Sequence, residues 1–396
     1  MSKLIVITKE RQVSNGKGGV RKKIKKRLIL NLKKSGVADA AVKVERPQLP
    51  RALDVVLSVM RLLRTRRTAG KSRQGLRMIV LDFANAFFQF PLMAKERRFF
   101  TTRLGKYIYI WRRAVQGSRG APDICGRSLA LAMRLSCALV EPDTMAASTY
   151  VDDPLSSFLG DPEQLDRNIT KWILGILSMG FELAFQKLQD SYETNKITWT
   201  SAVFQVDLDN EAICVEVKDD VVAEVRDTIE QMCKCGTVDV SLLQTLAGQA
   251  NCIAGLLHTW RPFVNMLYGP IYDMRSRCPF NGQKVWRCAL DVPLTWIRAF
   301  LQGLRGTLSR TYYLSDYLGE GEQHGVTIDA SPLRLGGWLM IDGVIKECFT
   351  EPISELDQKI LGCKKGGSEG QQLWEALAVL VALRLWSKYW QGKRLQ

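Results

Sequence analysis

The chain has 396 residues, 46% of them apolar and 24% charged, with a formal net charge of +16 at pH 7. This profile belongs to a globular protein of two or three domains; no apolar run reaches the ~18 residues of a membrane-spanning helix, and Leu4-Ile5-Val6-Ile7 is too short for a secretory signal. Ten cysteines in no framework spacing, with Cys233 and Cys235 the one close pair, and only two histidines, His258 and His324, argue against a disulfide scaffold and a zinc site and for an intracellular chain, cytoplasmic or nuclear.

The charge is uneven. Met1 to Lys34 holds twelve Lys or Arg against a single acid, Glu10. A second basic run extends from Arg61 through Arg64, Arg66, Arg67, Lys71 and Arg73 to Arg77. Such clusters favour a polyanionic partner through counterion release, a solubilising tail being the alternative.

In chain order, residues 1–20 read as a flexible basic N-terminus around Ser14-Asn15-Gly16-Lys17-Gly18-Gly19, and Gly16-Lys17 lacks the spacing of a phosphate loop. Lys26 to Leu32 alternates imperfectly, as a strand does. After Pro47 and Pro50 an amphipathic helix is expected from about Arg51 to Thr65, then a short buried strand, Met78 to Leu81, entering Asp82. Arg97 to Arg113 reads as a hairpin around Gly105, Gln116 to Pro122 as a glycine-rich loop, and Asp123 to Val140 as a helix. Tyr150-Val151-Asp152-Asp153 with Pro154 reads as a tight hairpin with acids at its tip. Leu165 to Met179 is helical until Gly180; Ile197-Thr198-Trp199 and Val203 to Val206 look like strands. Helices follow over Val221 to Cys233 and Ser241 to Leu256, and Arg277 to Gly306 also reads as helical. From His324 three short strands, 326–331, 336–340 and 344–349, precede a long helix from Gln371 to about Trp390.

Consecutive Asp residues cannot both sink into one face of a strand, so a pair at a hairpin tip needs water or a cation to neutralise it. A lone pair is most simply a solvated turn; Asp82, at the end of another apolar strand, makes it more than that. Carboxylates from adjacent strands are what two magnesium ions need to bind a triphosphate, manganese being an alternative. Phe87, five residues on, would lie under the incoming sugar, where a ring excludes a 2′-hydroxyl. The loop of Gln116, Gly117 and Gly120 allows close backbone approach to a nucleotide and template. Lys187 offers a proton or charge to the leaving phosphate.

These residues resemble the reverse transcriptase–RNase H region of a retroelement polyprotein, of the long-terminal-repeat type or a relative. LDFANAFFQFPL resembles its first catalytic motif, AVQGSRGAP its template loop and TYVDD its second catalytic motif. Met179-Gly180-Phe181 with Lys187 resembles the glycine–lysine motif that follows, and Thr198-Trp199-Thr200 the primer-grip hairpin. The segment Leu242 to Asn251 and Arg261-Pro262-Phe263 resembles the thumb. The resemblance implies an α+β, right-hand polymerase with an antiparallel palm sheet: fingers and palm over 21–215, helical thumb over 216–275, connection over 276–323, and a partial RNase H-like α/β domain over 324–396. It implies catalysis by Asp82, Asp152, Asp153 and Lys187, the three acids as metal ligands, and substrate contacts from Phe87, Gln116, Gly117 and Tyr150. Arg27 and Lys33 would grip the triphosphate, with plain solvation as the alternative; Asn31 stands where that strand usually has an acid. Asp329 and Glu375 resemble the first two acids of an RNase H site, whose further acids lie beyond Gln396, so nuclease activity is not expected from this chain alone. The implied partners are an RNA template, a DNA primer or RNA–DNA hybrid and deoxynucleoside triphosphates; the alternative is a degenerate copy that binds nucleic acid without polymerising.

Overall fold

The computed structural model describes residues 2–15, 19–41, 48–70, 74–273, 277–278, 281–304 and 306–390. Helices and antiparallel sheets alternate along it, divided into two units, residues 1–313 and 314–396. Among the described residues no helix is long and apolar enough to cross a membrane.

The first unit begins with a correction to the expected flexible N-terminus. Strand β1 (Lys3–Asn15) pairs along its whole length with β2 (Gly19–Asn31), Lys3 opposite Asn31 and Asn15 opposite Gly19. The run Ile5-Val6-Ile7-Thr8 has the β-branched character that suits a pleated ribbon, and it outweighs the charge around it. Gly16 to Gly18 lie outside the described residues. The base of the ribbon is anchored by Leu30 and Leu32, both buried against Val115.

A short helix, α1 (Val37–Ala40), precedes α2 (Ala52–Thr68), which starts after Pro50 with the Arg51 N–H donating to the Asp54 carboxylate at 2.7 Å. Strand β3 (Gly75–Val80) and the hairpin of β4 (Thr101–Leu104) and β5 (Tyr107–Ile110) lead to α3 (Ala121–Cys137). Pro122 occupies its first turn, where no N–H is missed. Strands β6 (Met145–Tyr150) and β7 (Asp153–Gly160) then form the acidic hairpin. Helix α4 (Pro162–Ser178) is capped by Asp161, which accepts from the Gln164 N–H at 2.8 Å, and it stops before Gly180, at φ 84°.

With β8 (Gln189–Asp190) these strands make one sheet in the order β6-β7-β3-β8. On one face Ile79, Leu81 and Phe158 pack with Leu129 and Met133 of α3 and Trp172 and Ile176 of α4. Strand alternation turns Met78, Val80, Leu155 and Leu159 to the other face, and α2 packs against β6 and β7. Burial on both faces is why β7 carries no clear alternation in its sequence.

A second sheet, ordered β15-β11-β10-β9, is built from β9 (Lys196–Trp199), β10 (Ala202–Asp207) and β11 (Ala212–Val217) with a late strand. Between them run α5 (Asp219–Cys233), β12 (Thr237–Asp239), α6 (Val240–Leu256), α7 (Arg261–Tyr272), β13 (Arg277–Cys278), β14 (Asn281–Trp286), α8 (Asp291–Leu301) and β15 (Ser309–Tyr313). Residues 277–278 and 281–286 are therefore strands where a helix was expected. Val285 pairs with Val238 and both are buried, a partnership between distant residues that outweighs local apolar content.

The second unit starts at Leu314, before His324 where the sequence placed it. After the short α9 (Leu314–Tyr317) come β16 (His324–Ala330), β17 (Arg334–Ile341) and β18 (Val344–Pro352), one antiparallel meander. Helix α10 (Glu355–Leu361) leads to α11 (Gln371–Leu385) and α12 (Ser387–Trp390). Trp374 and Ala378 of α11 pack with Ala330 and Leu335.

The glycine-rich loop before α3 is tied to the ribbon. The Leu30 N–H donates to the Gln116 carbonyl at 3.0 Å, and Gly117 has φ +102°. A Cβ at 117 would stand 2.3 Å from the Leu30 carbonyl oxygen. Gly117 thus serves a close approach of backbone to backbone within the protein. Gly117→Ala is expected to lower unfolding free energy by about 2–4 kcal/mol in urea titrations, from strain at positive φ plus overpacking. Gly120→Ala, with open space at its Cβ, should change it by less than about 1 kcal/mol.

Cysteine reactivity tests the packing of α3. Cys125 is fully buried, and burial, then the nearby Asp152 charge, pushes its thiol up to about 12. Because the thiolate is the reactive form, Cys125 should resist iodoacetamide at pH 8 until the chain unfolds. The exposed Cys233, Cys235, Cys252, Cys288 and Cys348 should be alkylated in the folded protein, as read by peptide mass spectrometry.

Candidate functional site

β3 delivers Asp82 to the end of the sheet. Its ladder is carried one residue further by the Leu81 N–H, which donates to the Pro154 carbonyl at 3.1 Å. Asp82 therefore emerges beside the turn between β6 and β7. That turn is two residues long: Tyr150 pairs with Asp153, leaving Val151 and Asp152 at the tip. Val151 has φ 57°, the left-handed region that a β-branched side chain rarely enters. The acids are presented on a strained turn.

A third segment closes the site. The Ala84 N–H donates to the Glu182 carbonyl at 2.9 Å and the Ala184 N–H to the Asp82 carbonyl at 2.7 Å, so residues 182–184 run beside 82–84. The 3-10 turn Phe185–Lys187 then brings the Lys187 ammonium onto the Asp82 carboxylate as an ion pair. Sequence separation gave no hint of this pairing.

The acids act on one another. Burial first, then the charges of Asp152 and Asp82, push the Asp153 carboxyl up to about 6, against the pull of Lys187. Burial also raises Asp152, with Asp82 adding to it; a backbone hydrogen bond, Lys187 and Arg27 oppose the rise. Negative charge here is only partly offset by the protein, and hard carboxylate oxygens are the ligands magnesium takes. Among the described residues no group of three or more His, Cys, Asp or Glu is arranged to hold a metal ion. The chemistry on offer is thus that of one or two carboxylates completed by substrate oxygens, which is how magnesium is commonly held.

Beneath the turn, the Trp199 indole N–H donates to the Asp153 carbonyl at 2.9 Å, and the Tyr150 ring meets the Trp199 ring edge-on at 6.3 Å. Trp199 is 1% exposed, so within the expected primer-grip hairpin it faces the protein, whereas Thr200 is exposed. Phe87 lies half-buried in the 3-10 turn Ala86–Gln89, packed on the core of the β6-β7-β3-β8 sheet. Gln116 is held to Leu30. Arg27, exposed on β2, acts on Asp152; Lys33 is exposed just past β2.

In the second unit Asp329 and Glu375 are both exposed. Gln371 spans the elements that carry them, its side-chain amide donating to the Ala330 carbonyl at 2.5 Å and to the Glu375 carboxylate at 3.1 Å.

Two clefts flank Leu49-Pro50-Arg51. One, of about 620 Å³, is lined by Arg51, Tyr150, Thr200, Asn251, Arg261 and Asn265. The other, of about 880 Å³, is lined by Arg51, Asp54, Arg134, Ser148 and Thr149. His258, half-buried, is held below the ordinary histidine range by burial and then by Arg261, Arg310 and Arg51, so a concentration of positive charge surrounds this region. Sequence reasoning missed Arg51, Asn251 and Asn265. They lie far apart in the chain, Asn251 at the end of the thumb-like segment with no site role assigned to it, and only folding assembles them.

No family model matches the chain, and no curated protein matches it. Among solved structures, it is similar to the foamy viral protease-reverse transcriptase dRH in complex with double-stranded DNA, at 14% identity and TM-score 0.48, covering 96% of this chain and 58% of that one. It is also similar to the foamy viral protease-reverse transcriptase in complex with RNA/DNA hybrid, at 12% identity and TM-score 0.46, covering 96% of this chain and 44% of that one. A complex of that protein with double-stranded DNA gives 13% identity and TM-score 0.44 over 96% of this chain and 68% of the other. The chain thus spans 58% and 44% of the first two. At this identity and TM-score the likeness assigns neither a family nor an activity.

Proposed function

We propose that the chain is an RNA-directed DNA polymerase of retroelement type, extending a primer 3′-hydroxyl on an RNA or DNA template. The observation that carries this reading is the meeting of Asp82, at the end of β3, with Asp152 and Asp153 on the adjacent hairpin turn, under the charge of Lys187. The ordered motifs of the sequence support it. In this reading residues 21–215 are fingers and palm, 216–275 the thumb and 276–323 a connection, and the basic clefts beside Tyr150 hold the template and primer.

Asp82 and Asp152 would hold magnesium, with Asp153 beside them. The ion supplies charge neutralisation at the triphosphate and a more acidic 3′-hydroxyl. Lys187, which pairs with Asp82, would offer a proton or positive charge to the leaving phosphate. Arg27, on the exposed ribbon, adds charge on the incoming side. Phe87 would block a 2′-hydroxyl. A second reading, binding of nucleic acid without polymerisation, is favoured by Asn31, which stands at a position where the resemblance expects an acid.

Primer extension separates these readings. Asp82→Ala or Asp152→Ala should lower kcat at least ~1,000-fold, a loss of about 4 kcal/mol in transition-state stabilisation, while template–primer affinity stays within about threefold because the basic surface supplies it. Undiminished extension by either variant excludes that residue as a ligand, and no extension by the unmodified chain supports the second reading. The sugar is tested separately. Phe87→Ala should raise ribonucleotide incorporation relative to deoxynucleotide by about tenfold or more, since a lost steric contact is worth about 1–3 kcal/mol; an unchanged ratio would leave Phe87 a core residue only.

A further inference from the structure

Five tryptophans are among the largest fully buried side chains: Trp172, Trp199, Trp260, Trp374 and Trp386. An indole N–H is a donor only, and buried it normally finds an acceptor. Among the described residues, Trp172, Trp260 and Trp374 have none. Trp199 has one, the backbone carbonyl of Asp153 at 2.9 Å. Those three serve packing; the Trp199 donor is directed at one residue of the acidic turn.

That turn is under strain. Pro154, directly after the acids, turns its backbone toward β3, where its carbonyl accepts from the Leu81 N–H and it has no N–H to give in return. One residue before the acids, Val151 holds φ 57°. Strained backbone of this kind persists only where surrounding contacts hold it in place. The contacts present are the Leu81 N–H on the Pro154 carbonyl, the Trp199 N–H on the Asp153 carbonyl, and the edge-on Tyr150–Trp199 ring contact. Trp199 thus grips the turn from both sides, through the carbonyl of Asp153 and the ring of Tyr150. Its own place is set by β9, where it pairs with Ala202, and it also packs on Phe204. The second sheet thereby reaches the acids of the first.

We propose that Trp199 is the positioning residue of the acidic turn: its indole N–H, bonded to the Asp153 carbonyl, holds Asp152 and Asp153 facing Asp82 against the strain at Val151. For its effect on catalysis the proposal rests on the polymerase reading. For the placement of the carboxylates it does not, because divalent-cation binding reports on them without any reaction.

Trp199→Phe keeps most of the ring and removes the donor. Trp172→Phe, at a buried tryptophan whose N–H has no partner, is the control for lost core volume. Two measurements are made on the full chain: Mn²⁺ affinity without nucleic acid, by electron paramagnetic resonance of the free ion, and primer extension. Trp199→Phe should weaken Mn²⁺ binding by about threefold or more and lower kcat by about tenfold or more, because a small misplacement of reacting groups is costly. The KM for nucleotide and the template–primer Kd should stay within about threefold. Trp172→Phe should shift the melting temperature and leave both other measurements unchanged. If Trp199→Phe folds poorly, β-(3-benzothienyl)alanine at 199, which puts sulfur in place of N–H at nearly constant volume, gives the same comparison. Unchanged Mn²⁺ affinity on loss of the donor overturns the proposal, as does an equal fall in Trp199→Phe and Trp172→Phe. If the unmodified chain binds Mn²⁺ but extends no primer, the polymerase reading fails and the Mn²⁺ comparison still decides the role of Trp199. If it binds no Mn²⁺, the proposal falls, while primer extension decides the polymerase reading.

Discussion

Repulsion among Asp82, Asp152 and Asp153 is the constraint on which the first unit is built. Burial first, and then the charges of Asp152 and Asp82, raise Asp153 to about 6, so the crowded carboxylates carry a cost. A fold that brings them together must hold them there. It does so with three devices: the continuation of β3 past its formal end, the antiparallel pairing of 182–184 with 82–84, and the buried Trp199. The Lys187 ammonium offsets part of the charge at the centre.

Those devices draw on the strongest packing in the unit. β7 is buried on both faces, with α3 and α4 on one side and α2 toward the other, so the strand that begins at Asp153 cannot shift in register without moving a whole core layer. Rigidity at β7 permits strain at Val151. The same layer places Cys125 under Asp152, where burial leaves the thiol inert. Site and core are two ends of the same strands.

Positive charge is distributed by a different logic. Among the described side chains, Lys26, Arg27 and Leu28 of the ribbon and the arginines around Leu49-Pro50-Arg51 stay exposed. Arg27 of the ribbon acts on Asp152. A net charge of +16 repels itself, and a long-range polyanion relieves that repulsion.

Much of this was legible in the residues. Tyr150-Val151-Asp152-Asp153 announced a two-residue turn, Leu81-Asp82 a strand end, and the amphipathic periods of α2 to α6 their helices, because each is a local pattern of side-chain alternation or helical spacing. Where reading failed, distant pairing had won. Residues 3–15 and 281–286 are strands because β2 and β12 are there to receive them, and Gly117 is a glycine because Leu30 lies against it. By itself the sequence determined the order of the elements and which residues carry the charge. Only the tertiary structure decided that Lys187 meets Asp82, that Trp199 donates to Asp153 and that Arg51, Asn251 and Arg261 share one cleft. Hydrogen bonds, ion pairs and cavities depend on distances through space, and separations along the chain do not encode those.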